Sequence, residues 1–179
     1  PIKPSKSAPS NSPSDLSLEG LFDGADLLGL IGEGNAAISL DGEWVGSLDA
    51  LDISSGYWLQ ALSDQEVVIS GVPADDIVYT LHDANNLISY PYAESQDLGS
   101  ALPGDLGLFA IVGEGVAAIN LAGNWAGSLD TFDGGSGYWF ARSAGAEDVT
   151  FQYSPPGEGV ARLLSNELPV VPEAYEYVQ

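Results

Sequence analysis

Gly32-Glu33-Gly34-Asn35-Ala36-Ala37-Ile38, followed by Trp44-Val45-Gly46-Ser47-Leu48-Asp49 and Ser55-Gly56-Tyr57-Trp58, decides how this chain reads. About 81 residues later it returns as Gly113-Glu114-Gly115-Val116-Ala117-Ala118-Ile119, Trp125-Ala126-Gly127-Ser128-Leu129-Asp130 and Ser136-Gly137-Tyr138-Trp139. Without gaps, about 18 of about 29 positions from Leu30 to Trp58 match. A tandem duplication sets the architecture before anything else does. What repeats is glycine, aromatic and small apolar residues, the parts of a scaffold.

Around the repeat lies a strongly acidic chain of 179 residues: 26 Asp and Glu against four Lys and Arg, for a net charge of −22. Such a surface repels phosphate backbones and anionic lipid, which argues against nucleic acid as a partner. It suits salty surroundings, where self-repulsion is screened within roughly 10 Å. The hydrophobic fraction of 45% is enough for a core. No apolar run approaches the roughly 18 residues that a membrane helix needs, so no membrane insertion is expected. Cysteine is absent, which excludes disulfides, thiolate metal sites and cysteine nucleophiles. Methionine is absent too and the chain opens on Pro1, as expected of a processed form or a piece of a longer protein.

Residues 1–13, rich in proline and serine, read as an arm or linker in which Ile2 could plug a pocket. Ser14-Asp15-Leu16-Ser17-Leu18-Glu19 has the look of a serine-capped helix start, matched by Ser95-Gln96-Asp97-Leu98 before Pro103. The remainder is strand and turn. Runs at 27–31, 36–40, 43–48, 56–62 and 66–71 recur at 108–112, 117–121, 124–129, 137–143 and 148–153. Asp41-Gly42 between two such runs is a two-residue hairpin signal. Ile77 to Leu81 and Asn86 to Pro91, with a turn at 82–85, read as a hairpin opening the second module. Val160-Ala161-Arg162-Leu163 echoes Val78-Tyr79-Thr80-Leu81 and leads into Leu168-Pro169-Val170-Val171. The repeat is thus shifted against the chain, and a module could borrow a strand from its successor. The expected fold is all-β, two tandem small sandwich or barrel modules with one short helix each. The arm spans 1–13, the modules 14–80 and 81–165, and a connector tail 166–179.

Asn86-Leu87-Ile88-Ser89-Tyr90-Pro91, Gly113-Glu114-Gly115-Val116-Ala117-Ala118, the stretch from Trp125 to Leu129 and Gly137-Tyr138-Trp139-Phe140 together resemble a recurrent β-repeat. It belongs to large secreted and surface proteins of marine bacteria and to structural proteins of their phages. The resemblance covers most of residues 14 to 165. The first copy departs from it in lacking the Asn-Leu-Ile-Ser-Tyr-Pro strand, and the ending Tyr175-Glu176-Tyr177-Val178-Gln179 is similar to the start of a further module. The resemblance implies extracellular structure or attachment and no agreed activity.

Candidate chemistry is sparse. Glu33 and Glu114 in the Gly-Glu-Gly turns could meet as an acid and base pair, or simply bond nearby amides. Asp49 with Asp52, and Asp130 with Asp133, could form oxygen-rich calcium loops, although each supplies only two carboxylates where calcium takes 6–8 oxygens. Leu129-Asp130-Thr131 lacks the glycine that an aspartic-protease signature requires. His82, the single histidine, sits in a polar turn with no metal-ligand spacing and reads as a residue without a role. Trp44, Trp58, Trp125 and Trp139, with Tyr57 and Tyr138, are core residues by preference and a carbohydrate platform by alternative. In each Tyr-Trp pair one ring faces inward and one outward.

The expectation is therefore not an enzyme but a structural or adhesive building block of an extracellular assembly, a surface filament or large adhesin. It needs no cofactor, calcium apart. Its partners are other copies or neighbouring modules of a larger polypeptide. Interface candidates are Ile2, Tyr57, Tyr138, Val170, Val171, Tyr175 and Tyr177. The alternatives are a marine phage virion surface or decoration protein, and a carbohydrate-binding module of a secreted enzyme.

Overall fold

The computed structural model describes residues 16–67 and 76–157. The fold is all-β and sandwich-like, with antiparallel sheets and two one-turn helices. In the first copy, helix α1 (Leu18–Leu21) precedes strands β1 (Leu27–Ile31), β2 (Ala36–Leu40), β3 (Glu43–Gly46) and β4 (Trp58–Ala61), which form a sheet in the order β3-β2-β1-β4. The second copy contains β5 (Tyr79–Leu81), β6 (Asn85–Ser89), β7 (Gln96–Asp97), α2 (Leu98–Ala101), β8 (Leu108–Val112), β9 (Ala117–Leu121), β10 (Asn124–Gly127), β11 (Thr131–Phe132), β12 (Gly137–Arg142) and β13 (Val149–Phe151). Its main sheet runs β10-β9-β8-β12-β6, beside the short pairs β11-β7 and β13-β5.

The duplicated words of the sequence are explained by backbone geometry. Asp41 and Gly42 both take positive φ, 52° and 88°, as a tight β2–β3 turn demands. Ala122 and Gly123 repeat this at 54° and 94°, with the Asn120 side chain accepting from the Gly123 N–H at 2.7 Å. In Trp-x-Gly-Ser-Leu the glycine admits a close approach: a Cβ on Gly46 would run into the Ala36 carbonyl oxygen. That carbonyl accepts from both Ser47 and Leu48 N–H, at 2.8 and 3.2 Å. The Ser47 hydroxyl returns the favour by accepting from Ala36 N–H, and Leu48 drops into the core. Gly127, Ser128 and Leu129 do the same with Ala117. The tyrosine of each Tyr-Trp pair accepts, through its hydroxyl, from the backbone N–H of Asp52 or Asp133.

Each copy closes over its own core. The first gathers Leu18, Phe22, Leu27, Leu30, Ala37, Leu48 and Val67, with Trp44, Tyr57 and Leu59 packed against them. The second is larger and aromatic, built around Tyr79, Phe132, Phe140 and Phe151, all at or below 1% exposure.

Several expectations are corrected. The first helix start stands, with Ser17 as its serine cap before Leu18, whereas the second helix, starting at Leu98, is capped by Asp97, whose side chain accepts from the Gly99 and Ser100 N–H groups of the first turn. β3 and β10 end at the close-approach glycines, short of Leu48 and Leu129. β5 and β6 do not form a hairpin: β5 pairs with β13, Tyr79 opposite Phe151, whereas β6 pairs with β12, Ile88 opposite Tyr138. The Asn86 side chain spans the turn between them, accepting from His82 N–H at 2.8 Å and donating to its carbonyl at 3.1 Å. Tyr79 and Leu81 therefore lie in the second core, and that unit begins before residue 81. The run expected at 66–71 is described only to Val67, which is not in a strand.

Candidate interaction surfaces

Strand β6 is the joint between the copies. On one side it pairs with β12; on the other it meets residues 53–57 of the first copy. Gly56 N–H donates to Leu87 C=O at 2.9 Å, Ser89 N–H to Ser54 C=O at 3.2 Å, and the Ser89 hydroxyl to Ile53 C=O at 2.7 Å. Only glycine fits at position 56, where a Cβ would lie 2.7 Å from the Ile88 carbonyl oxygen. Glu33 completes the joint. One carboxylate oxygen accepts from Leu87 N–H at 2.8 Å and the other meets His82 Nε2 at 2.5 Å. Leu87 itself is 2% exposed.

His82 thus has a role that its polar turn conceals. Its Nδ1 faces the Asp83 carbonyl at 2.5 Å while Nε2 faces the Glu33 carboxylate. A neutral imidazole can donate to only one of two acceptors, whereas the imidazolium serves both. The pKa is raised above 6.5, first by the Asp83 carbonyl, against opposition from desolvation, and then by Glu33. A raised folded value means that the stabilisation is whole below about pH 6.5 and is lost as pH climbs through the folded pKa. In Glu33→Gln, an NMR titration of His82 is expected to show a lower pKa that still exceeds 6.5, because the Asp83 carbonyl remains. Leu87 N–H should exchange about tenfold faster in Glu33→Ala, the loss of one charge-assisted hydrogen bond. An unchanged His82 titration would remove the pair from the joint.

The second surface is the outer side of each sheet. Ile38 and Leu40 on β2, Ile31 on β1 and Val45 on β3 are all about half exposed. Gly29, Ile38 and Val45 share a rung across three strands. One repeat on, Val112, Ile119 and Leu121 occupy the matching positions, joined by Phe109. Trp58 opposes Ile31, and Trp139 opposes Val112, so each half-buried tryptophan is the outward ring of its pair. Scattered apolar residues on a surface are ordinary. Here the exposed apolar residues share one face and recur at the equivalent positions of the second unit. The signal was present in β1, Leu-Leu-Gly-Leu-Ile, and β8, Leu-Phe-Ala-Ile-Val, which are apolar on both faces.

The remaining candidates divide plainly. Tyr138 is 3% exposed and belongs to the second core, so it is withdrawn as a contact residue in favour of Trp139. Tyr57 is partly buried against the first core. Trp44 and Trp125 pack against the cores from the side. Glu33 is engaged in the joint, while Glu114 is exposed. The backbone carbonyls of Asp49 and Asp130 accept from Leu18 and Leu98 N–H at the helix entries. The Asp52 carboxylate accepts from Ser54 N–H and hydroxyl, and that of Asp133 from the Ser95 hydroxyl. Among the described residues no group of three or more His, Asp or Glu could hold a metal ion. Ile2, Val170, Val171, Tyr175 and Tyr177, with the arm and the tail, lie outside the described residues.

Among the described residues no helix is long and apolar enough to cross a membrane. Compared with protein-family models, with curated proteins and with solved structures, the chain finds no match.

Proposed function

We propose that this chain is a structural and adhesive building block of an extracellular assembly, which associates with like units through the outer sheet faces and the strand edges beside them. The observation that carries the reading is the duplicated apolar face: Ile31, Ile38 and Leu40 in one unit, Val112, Ile119 and Leu121 in the other. Burying such a face is worth roughly 25 cal/mol per Å² of apolar area. The heavy negative charge keeps the free unit soluble and moderates its association until salt screens it. What the sequence repeats, close-approach glycines, turn hydroxyls and core leucines, serves shape.

The double substitution Ile38→Asp and Ile119→Asp tests this. Both side chains are about half exposed, so folding should be little affected. Light scattering at rising salt should show the original chain associating and the double variant remaining a monomer, with superimposable thermal melts. Association of equal strength in both proteins would sink the reading.

A further inference from the structure

The first copy grips the second from two parts of its chain. The segment leading into β4 lies along β6 as a short antiparallel ladder: Gly56 N–H to Leu87 C=O, Ser89 N–H to Ser54 C=O and the Ser89 hydroxyl to Ile53 C=O, with Ser55 opposite Ile88. No group in that ladder titrates. The turn between β1 and β2 supplies the other grip, and there the hold passes through one side chain. Glu33 takes the Leu87 N–H with one oxygen and the His82 ring with the other. The turn does not need that carboxylate for its own shape. Its twin between β8 and β9 is closed by the same hydrogen bond, Gly113 N–H to Val116 C=O at 2.9 Å against Gly32 N–H to Asn35 C=O at 2.9 Å. It also bends at the same positive φ, 72° at Gly115 against 73° at Gly34, while Glu114 stands exposed. The work of Glu33 is therefore done across the joint.

We propose that Glu33 and His82 form a proton-operated clasp between the copies: an imidazolium fixes the second copy at both grips, and a neutral imidazole leaves it held by the ladder alone, free to turn about it. The hydrogen-bond geometry forces the choice. Nδ1 faces the Asp83 carbonyl and Nε2 the Glu33 carboxylate, each at 2.5 Å. With a single proton on the ring, one nitrogen must point a lone pair at an oxygen, and the ring or the carboxylate swings away. Glu33 then loses the contact that aims its other oxygen at Leu87 N–H. The pair can follow the pH of the medium, because the His82 and Glu33 side chains are 49% and 35% exposed. The charged groups about the ring, among the described residues, do not compete with it. Glu33 is the partner itself. The Asp83 carboxylate is engaged by Gly145 N–H at 2.8 Å. Arg142, which donates to the His82 carbonyl from β12, stays cationic throughout. His82 is thus the group whose charge changes near neutrality. The clasp is closed below about pH 6.5 and opens as pH rises through the higher folded value.

The lack of cysteine allows a clean test, since two introduced thiols take labels at those sites alone. Glu43 and Asn124 are exposed and begin β3 and β10, which in strand order are the far edges of the two sheets from the joint. Spin labels on the full-length Glu43→Cys, Asn124→Cys chain report the relation of the copies as a distance distribution. Pulsed electron paramagnetic resonance reads it at low salt and low concentration, on either side of the His82 midpoint found by NMR. The expected result is a narrow distribution below the midpoint and a clearly broader one above it. Over the same interval Leu87 N–H protection, corrected for intrinsic exchange, should fall about two- to fivefold, the size expected of a partly exposed ion pair. With His82→Ala or Glu33→Ala added, the distribution should be broad at every pH, while β2 and β9 keep their amide protection because each copy has its own core. A distribution equally narrow on both sides of the midpoint overturns the proposal. So does a broadening with pH that persists in His82→Ala, which would place the switch in another group. None of these outcomes bears on the outer faces, whose test is association at high salt.

Discussion

Phe132→Ala is expected to destabilise the second unit by about 3–5 kcal/mol, the range for removing a fully buried aromatic ring. Phe132 is 0% exposed and central to the aromatic core. Its ring centroid lies 4.8 Å from that of Tyr138, 5.4 Å from Tyr90, 5.5 Å from Tyr153 and 5.9 Å from Phe140. Two of these neighbours are stacked on it and two stand edge-on, the arrangements that aromatic quadrupoles favour. The surrounding rings belong to the residue just after β6, to β12 and to the segment after β13, three parts of the chain that cannot all shift into the void together. Phe132→Leu imports the first copy's own solution, Leu51 at the matching place, and should cost only about 1–2 kcal/mol. Urea denaturation followed by tryptophan and tyrosine fluorescence separates the two variants. Equal, small losses in both would mean that the core relaxes around the missing ring and that the aromatic cluster does not organise the unit.

How far these features were legible follows from the range of the interactions. β1, β2, β8 and β9 match the expected runs end to end, because a two-residue glycine turn and a short apolar run are local signals. The division of β5 and β6 between sheets was not legible. It depends on Asn86 folding back on His82 and on Tyr79 finding Phe151, and the second of these spans most of a module. The joint was hidden for the same reason: Glu33 and His82 are 49 residues apart, and neither neighbourhood advertises the other. The outer apolar face lay in plain view in β1 and β8. It was obscured because a doubly apolar strand reads equally well as one buried on both sides. Tyr138 and Trp139 show the limit of alternation: it says that one ring faces inward, and only packing against Phe132 decides which.

The joint and the second core share a keystone that composition counted merely as one of four bases. Arg142 is 6% exposed, at the end of β12. Its guanidinium donates from Nε to Leu106 C=O at 2.9 Å, from Nη1 to Leu81 and His82 C=O at 2.8 and 3.1 Å, and from Nη2 to Glu147 C=O at 2.8 Å. The charge is thus surrounded by carbonyl dipoles drawn from the end of β5, the entry to β8 and the turn before β13. A planar fork of donors suits this task as an ammonium does not. The first copy has Ala61 at the matching place and so does not repeat this clamp. Arg142→Met keeps most of the volume but strands four carbonyls. Even with water reaching some of them, the loss should be about 3–5 kcal/mol. Arg142→Lys should recover less than half of it, since one ammonium cannot span all three segments. Because the His82 carbonyl is among the acceptors, Arg142→Met should also loosen the turn that presents the imidazole to Glu33. The His82 pKa should then fall toward 6.5, and amide protection should drop in β5 before it drops in β9. A Met variant as stable as the original chain, with β5 protection intact, would show that the carbonyl cluster holds together without its cation.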